Sequence, residues 1–174
     1  MSGLYFINSE GERFEDNDAI RCKKEGQGTM VWDNGNKKYV GEFKNGQSHG
    51  EGNCIWTGLF EYNGSFRKGV PDGIGTMEYM DGGEPDGVWH NGGKYEGEWK
   101  KKKKHGNGIY SDKLGNRFEG NWYNGQGLIG KYTLINGKTY SSKFDINVFL
   151  NFTTGNAGNE QEASGSDVVS VSEI

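Results

Sequence analysis

The chain has 174 residues, of which 31 are glycine and 2 are proline, and its net charge is −4. Its aromatic content of 13% is too high for a disordered chain, so we expect a folded but thin structure, a single sheet without a second layer. Residues 1–152 hold as many acidic as basic side chains, which argues against general nucleic-acid binding.

The start of the chain and its cysteine usage indicate a cytoplasmic protein. Met1–Ile7 lacks a basic segment followed by an apolar run, and no stretch approaches 18 apolar residues. Cys22 and Cys54 are isolated thiols without a Cys-x-x-Cys pair. We therefore expect a soluble, cytoplasmic chain with reduced cysteines.

The first predicted unit is a degraded β-hairpin. Its first strand contains Phe14, and its second strand, at residues 26–32, alternates glycines with Met30 and Trp32. Asn34-Gly35 closes the unit, because both residue types tolerate positive φ. The array is thus predicted to begin with a partial N-terminal hairpin.

Aromatic-glycine-aromatic triplets then recur, mostly 23 residues apart. They are Tyr39, Gly41, Phe43; Tyr62, Gly64, Phe66; Tyr95, Gly97, Trp99; and Phe118, Gly120, Trp122. Alternate residues of a strand share a face, so each triplet gives a strand one aromatic face. Asn45-Gly46 provides a turn after the first triplet, and a second strand with glycines at alternate positions follows it. Each unit therefore predicts a hairpin in a repeat array.

Glycine normally weakens a strand, so its regular place beside aromatic residues needs a physical reason. The simplest reason is that a ring from a neighbouring position lies over the bare glycine backbone. Each ring can bury roughly 150 to 250 Å² in this way. A sheet with few aliphatic side chains can then hold together.

The array is interrupted once and then ends. The second and third triplets are 33 residues apart, which predicts an insertion at 83–94 that forms either a half-unit or a protruding loop. After Asn124-Gly125 the next glycines fall out of register, so about five units are predicted. The terminal strand 140–152 is either a cap or a docking strand, and residues 153–174 read as a disordered acidic tail.

Several copies of the pattern agree with one known family repeat. One copy matches at Tyr39, Gly41, Glu42, Phe43, Asn45, Gly46, His49, Gly50 and Gly52, and another at Tyr95, Glu96, Gly97, Glu98, Trp99, His105, Gly106 and Gly108. Over residues 14–137 the chain resembles the MORN (membrane occupation and recognition nexus) repeat. Two positions depart from the repeat, since Lys102 replaces a turn glycine and Asp72 replaces a histidine.

The resemblance implies an all-β fold, a single elongated, twisted antiparallel sheet of consecutive β-hairpins with an aromatic-lined concave surface. It also implies a range of roles: scaffolds in cilia, flagella and the cytoskeleton, membrane-contact proteins, and appendages to phosphoinositide kinases and histone-lysine methyltransferases. In the last two cases the chemistry comes from a separate domain. We expect no such domain in this chain.

No motif predicts a catalytic, cofactor or metal site. Residues 125–130 spell Gly-x-Gly-x-x-Gly, but a dinucleotide site needs a helix there, and the following residues read as a strand. His49 and His105 occupy equivalent repeat positions without companion metal ligands. Neither a serine nor a cysteine can be tied to a base, so the chain is predicted not to be an enzyme.

The aromatic face and one charged turn supply the candidate contact residues. The rings are Tyr39, Phe43, Tyr62, Phe66, Tyr95, Trp99, Phe118 and Trp122. The charged residues are Lys100, Lys101, Lys102, Lys103 and Lys104. Exposed rings anchor interfaces well, and clustered lysines attract anionic lipid or an acidic partner, although such a run is also compatible with a solvated turn.

These observations favour a non-enzymatic scaffold or adaptor that mediates protein–protein interaction. Its protein partner would be elongated and of cytoskeletal or axonemal kind, in a ciliary, flagellar or cytoskeletal assembly. The alternative is a peripheral membrane module that binds anionic phospholipid through the lysine run. Nucleic acid is not an expected partner.

Overall fold

The structure, a computed structural model, describes residues 3–21, 23–32, 35–80 and 92–142. These contain twelve strands and one short helix, α1 (Asp16–Arg21). The strands are β1 (Tyr5–Asn8), β2 (Arg13–Glu15), β3 (Gly26–Trp32), β4 (Lys37–Lys44), β5 (Gln47–Trp56), β6 (Phe60–Arg67), β7 (Val70–Tyr79), β8 (Lys94–Lys100), β9 (Lys103–Ser111), β10 (Arg117–Tyr123), β11 (Gln126–Thr133) and β12 (Thr139–Ser142).

The strands form one open antiparallel sheet in the order β12-β11-β10-β9-β8-β7-β6-β5-β4-β3-β1-β2. From β3 to β12, each strand is hydrogen-bonded to the next one in the chain. The predicted all-β array of consecutive hairpins is therefore confirmed.

The N-terminal edge differs from the prediction. The strand of Phe14 was predicted to form a hairpin with residues 26–32, but β1 lies between them and pairs with both β2 and β3. Phe6 is opposite Phe14 on one side and Met30 on the other. Strand β2 has three residues and is followed directly by α1. Because β1 is the strand that pairs with β3, Phe6 occupies the position predicted for Phe14.

The register places one row of large side chains across the whole sheet. In order from one edge to the other, the row is Phe14, Phe6, Met30, Tyr39, Cys54, Tyr62, Met77, Tyr95, Tyr110, Phe118, Tyr132 and Tyr140. Residues directly opposite each other in antiparallel strands share a face, so all twelve lie on the same side.

A row of glycines runs parallel to the large side chains on the same face. Its members are Gly28, Gly41, Gly52, Gly64, Gly75, Gly97, Gly108, Gly120 and Gly130. A Cβ added at Gly52 would lie 2.6 Å from Tyr39 ring atoms, and one added at Gly75 would lie 2.5 Å from Cζ of Tyr62. The rings lie over bare backbone, as predicted.

Four hairpins close with two-residue turns in which both residues have positive φ, the conformation that matches the twist of paired strands. These turns are Asn45-Gly46, Lys68-Gly69, Lys101-Lys102 and Asn124-Gly125. The glycines at the second position have φ between 76° and 95°, and Lys102 has φ 71°. Lys102 therefore occupies a glycine position, as predicted.

The ten extra residues before the third triplet do not break the sheet. Met77 on β7 lies opposite Tyr95 on β8, and the amide of Tyr79 donates to the carbonyl oxygen of Gly93 at 2.8 Å. Most of the predicted insertion lies outside the described residues. The part of the predicted terminal strand 140–152 that follows Ser142, and the acidic tail, also lie outside them.

Candidate protein-binding groove

The aromatic side chains of the face pack against one another in a continuous zigzag. Neighbouring centroids lie 4.9–5.4 Å apart along Phe6, Phe43, Tyr39, Phe66, Tyr62, Trp99, Tyr95, Trp122 and Phe118. Interplanar angles of 76–88° make every contact edge-to-face, the arrangement that the ring quadrupole favours. The eight rings predicted as contacts all belong to this zigzag, and each is only 0–5% exposed.

The polar atoms of these rings are used within the sheet. The hydroxyls of Tyr39, Tyr62 and Tyr95 each donate to the carbonyl oxygen three residues later, at 2.9–3.0 Å. The indole Nε1 of Trp99 donates to the carbonyl oxygen of Gly75 at 3.0 Å. Burial raises the pKa of all three tyrosines well above the usual 10. These three tyrosines are therefore uncharged at physiological pH, and their hydroxyls take part in hydrogen bonds within the sheet.

A groove of about 750 Å³ lies above this face, and we call it the aromatic groove. Its floor includes Tyr39, Tyr62 and Trp99, and its lining extends across strands β3 to β11. Eight spacings of about 4.8 Å between neighbouring strands make this span roughly 38 Å. An extended chain of about eleven residues has the same length.

The most accessible ring of the groove is Trp56, which the sequence did not single out as a contact. Trp56 is 40% exposed and packs against Phe60 at 5.8 Å, and both line the groove together with Trp32. These three side chains lie at strand ends, two positions beyond the row of large side chains and away from the glycine row. We call them the aromatic rim.

A family model for the MORN repeat matches residues 23–37, 39–58, 62–84 and 95–117. The chain belongs to the MORN-repeat family. MORN repeats generally serve as binding or scaffold modules and are typically non-catalytic. No curated protein is similar enough to the chain to give a match.

The MORN sheet continues beyond the matched residues. Strands β10 and β11 form a further hairpin in which Gly120 lies opposite Gly130, as Gly97 lies opposite Gly108 in the unit before. Asn121 lies opposite Ile129 and Trp122 lies opposite Gly127, so one residue of β11 has no partner on β10. In the earlier hairpins at least two residues of the second strand are left without a partner at the equivalent bulge. This shorter bulge explains the slipped glycine spacing.

The five consecutive lysines of the MORN sheet differ in exposure. Lys100–Lys103 are exposed at the tip of the β8–β9 hairpin, whereas Lys104 is only 4% exposed. Lys104 lies opposite Trp99 on the groove face, and its Nζ lies 4.9–5.7 Å from four ring centroids. Those rings belong to Tyr79, Tyr95, Tyr110 and Trp122. Lys104 is therefore part of the groove, not of the tip.

The concavities on the two faces of the MORN sheet differ in charge. The described residues that line the aromatic groove include five lysines and no aspartate or glutamate; the lysines are Lys24, Lys37, Lys102, Lys103 and Lys104. On the opposite face, a hollow of about 580 Å³ is lined by Glu51, Glu61, Glu78 and Glu96, and we call it the acidic hollow. Lys102, Lys103 and Lys104 line the groove near β9. Lys24 and Lys37 line it near β3 and β4.

The remaining sequence motifs form no site among the described residues. Gly127 and Gly130 lie within strand β11 and open no helix. Within the same residues no cluster of three or more His, Cys, Asp or Glu side chains could hold a metal ion, and no helix is long and apolar enough to cross a membrane. Cys54 is a free thiol whose pKa is raised by burial, and Cys22 lies outside the described part.

Proposed function

We propose that the chain is a non-enzymatic scaffold or adaptor that binds an elongated protein partner in its aromatic groove. The observation that carries the proposal is the accessible aromatic rim beside a floor of buried rings. Accessible aromatic side chains give large contact areas at small entropic cost. The span of roughly 38 Å suits an extended segment better than a small molecule.

The floor and the rim contribute differently to this binding. The eight rings first predicted as contacts offer little surface of their own, because each is at most 5% exposed. They support the proposal as a rigid apolar floor, since their edge-to-face packing holds each ring in one position. Trp56, 40% exposed, is the most accessible ring of the groove, so it offers a partner aromatic surface that the floor does not.

The family range of roles suggests where such a scaffold would act. A ciliary, flagellar or cytoskeletal assembly, in the cytoplasm, contains the elongated partners that a long groove would suit. A partner of cytoskeletal or axonemal kind is therefore our proposal for the cell. It rests on the family resemblance and not on a contact in this structure.

The test is quantitative affinity purification of the full-length chain from cells, with two matched variants. Trp56→Ala removes the most exposed ring of the rim, and Ile74→Ala removes an exposed apolar side chain from the opposite face. We expect Trp56→Ala to reduce recovery of the principal partner about fivefold or more, as for an interface hot spot. Equal recovery with both variants would show that the groove is not the binding surface.

The exposed lysines at the tip of the β8–β9 hairpin, Lys100–Lys103, support a second candidate function, binding to anionic membrane. Lys100–Lys103 are exposed beside the neighbouring tip of Arg67 and Lys68, and clustered lysines contribute about 1 kcal/mol each near an anionic surface. Replacing Lys100–Lys103 by glutamine should then abolish co-sedimentation with phosphatidylserine vesicles. Undiminished sedimentation of the substituted chain would remove this candidate.

A further inference from the structure

We infer that the aromatic groove selects an acidic segment, with carboxylates about ten residues apart and apolar side chains between them. The inference rests on the proposed function and names the chemistry of the partner. It follows from three features of the lining: the sign of its charges, their separation, and the apolar floor between them.

The first feature is the uniform charge of the lining. Among the described residues, the lining contains five lysines and no aspartate or glutamate, while the acidic hollow lies on the opposite face. Complementary charge guides a partner to one surface and repels it from another. An acidic segment is therefore drawn more strongly to the groove than to the acidic hollow, where Lys94 pairs with only two of the four glutamates, Glu78 and Glu96.

The second feature is the separation of the lysines into two groups. Lys37 is the first residue of β4, Lys103 is the first residue of β9, and Lys102 lies in the turn just before it. Strands β4 and β9 are five places apart in the sheet, which gives about 24 Å across the strands at a spacing of about 4.8 Å. The register also places Lys37 on the rim side of the row of large side chains and Lys103, opposite Lys100, beyond the glycine row, about seven positions away along the strands. These seven positions add about 23 Å, so the two groups are roughly 33 Å apart. An extended chain covers this distance in about ten residues.

The third feature is the position of the lysines against rings. Nζ of Lys37 lies 5.1 Å from the ring centroids of both Trp32 and Trp56, so the rim holds this ammonium in place. The floor between the two lysine groups is formed by rings such as Tyr62 and Phe66. A segment that places carboxylates at both ends and apolar side chains between them matches all three features.

The probe for this inference is a blocked, fluorescently labelled peptide with two glutamates at each end of an alternating tyrosine–serine centre. The two acidic pairs are about ten positions apart. One control peptide carries glutamine in place of glutamate, and a second has the same composition with its four glutamates adjacent. Fluorescence anisotropy with the full-length chain measures the dissociation constants.

Two charge reversals in the groove have matched controls on the same elements. Lys37→Glu is compared with Lys38→Glu, since Lys38 is the next residue of β4 and lies on the opposite face. Lys103→Glu is compared with Lys101→Glu, which changes an exposed turn residue outside the described lining. Circular dichroism and the thermal midpoint show whether the half-buried Lys37 position tolerates the change; Lys103 is exposed.

We expect the acidic probe to bind at low salt and to bind more weakly as salt rises. Each groove reversal should weaken binding about fivefold or more, the equivalent of an ion pair of about 1 kcal/mol, and each control reversal less than about twofold. The glutamine probe and the probe with adjacent glutamates should both bind more weakly than the spaced acidic probe.

Three results would overturn the inference. One is equal binding of the glutamate and glutamine probes, another is equal loss in the groove and control variants, and the third is binding to phosphatidylserine vesicles but to no peptide. If the glutamine probe binds as well as the acidic probe and Trp56→Ala abolishes both, the proposed function stands and only the charge selection fails.

Discussion

Replacing Gly75 by alanine tests whether the glycine row holds the sheet together. The new Cβ would lie 2.5 Å from Cζ of Tyr62 and 2.7 Å from its Cε2, so the ring must move away. Tyr62 is 0% exposed, and its centroid lies 5.1 Å from that of Phe66 and 5.4 Å from that of Trp99. The substitution therefore disturbs three rings of the zigzag at once.

The cost of Gly75→Ala follows from the contacts that Tyr62 makes. Moving the ring weakens its hydroxyl hydrogen bond to the carbonyl oxygen of Ser65, at 3.0 Å, which is worth about 1 kcal/mol. Each of two edge-to-face contacts contributes about 0.5–1.5 kcal/mol, and overpacking a well-packed site typically costs about 1–3 kcal/mol. Since the ring moves only partly, we expect a loss of about 2–4 kcal/mol in unfolding free energy.

The assay is urea unfolding of the full-length chain, followed by circular dichroism, in a double-mutant cycle with Tyr62→Leu. Shortening the side chain removes the clash, so alanine at Gly75 should cost about 1 kcal/mol or less in that background. Ile74→Ala, on the exposed face of the same strand, should change stability by about 0.5 kcal/mol or less. If Gly75→Ala costs the same with tyrosine and with leucine at position 62, packing of the ring over glycine is not what stabilises the sheet.

Three other predictions concern the turns, the tyrosines and the glycine pairs. Lys102→Gly should raise the unfolding free energy by about 0.5–1 kcal/mol, because relief of positive φ outweighs the entropy of glycine in the unfolded chain; urea midpoints measure this. Tyr39 and Tyr95 have a raised pKa, so they stabilise the fold below pH 10, and this contribution is lost as pH rises through their folded-state pKa; ultraviolet titration should show them ionising only with unfolding. Gly97→Val should lower the thermal midpoint, because its Cβ would lie 2.5 Å from Cα of Gly108.

The sequence predicts the repeating part of the fold because the features that specify a hairpin, alternation within a strand and turn residues, are local in the chain. Alternation within a strand assigns Tyr39, Gly41 and Phe43 to one face, and Asn45-Gly46 specifies the turn. Each hairpin then pairs with the next one along the chain. Neighbouring units repeat the same geometry, so no long-range choice has to be made between β3 and β12.

The N-terminal edge could not be predicted in this way because it depends on a pairing between dissimilar segments. The strand of Phe6 contains no glycine and no turn signal that links it to β3. Phe14 fitted the repeat pattern better by spacing. The two phenylalanines are distinguished by the pairing of β1 with β3 and by the packing of Phe6 over Gly28, and both contacts join residues far apart in the chain.

The environment of Lys104 was missed because charged side chains in a run are read as solvent-exposed. The turn at Lys101-Lys102 places Lys104 opposite Trp99, and alternation then puts it on the aromatic face. A lysine can lay its aliphatic stem along rings while its ammonium lies close to them. The position of the turn therefore indicates that Lys104 lies on the aromatic face, whereas the run of five lysines indicates an exposed side chain.

The exposure of Trp56 has a related cause and separates stability from binding. Rings beside a glycine are buried because bare backbone receives them, whereas Trp56 lies on the far side of the row of large side chains from the glycine row and keeps 40% of its surface exposed. Stability should thus depend mainly on positions such as Gly75 and Tyr62, and binding on Trp56 and Lys37. We expect Trp56→Ala to weaken partner binding with little change in the thermal midpoint. A Trp56→Ala chain that unfolds as readily as Gly75→Ala would mean that rim and floor form one structural unit.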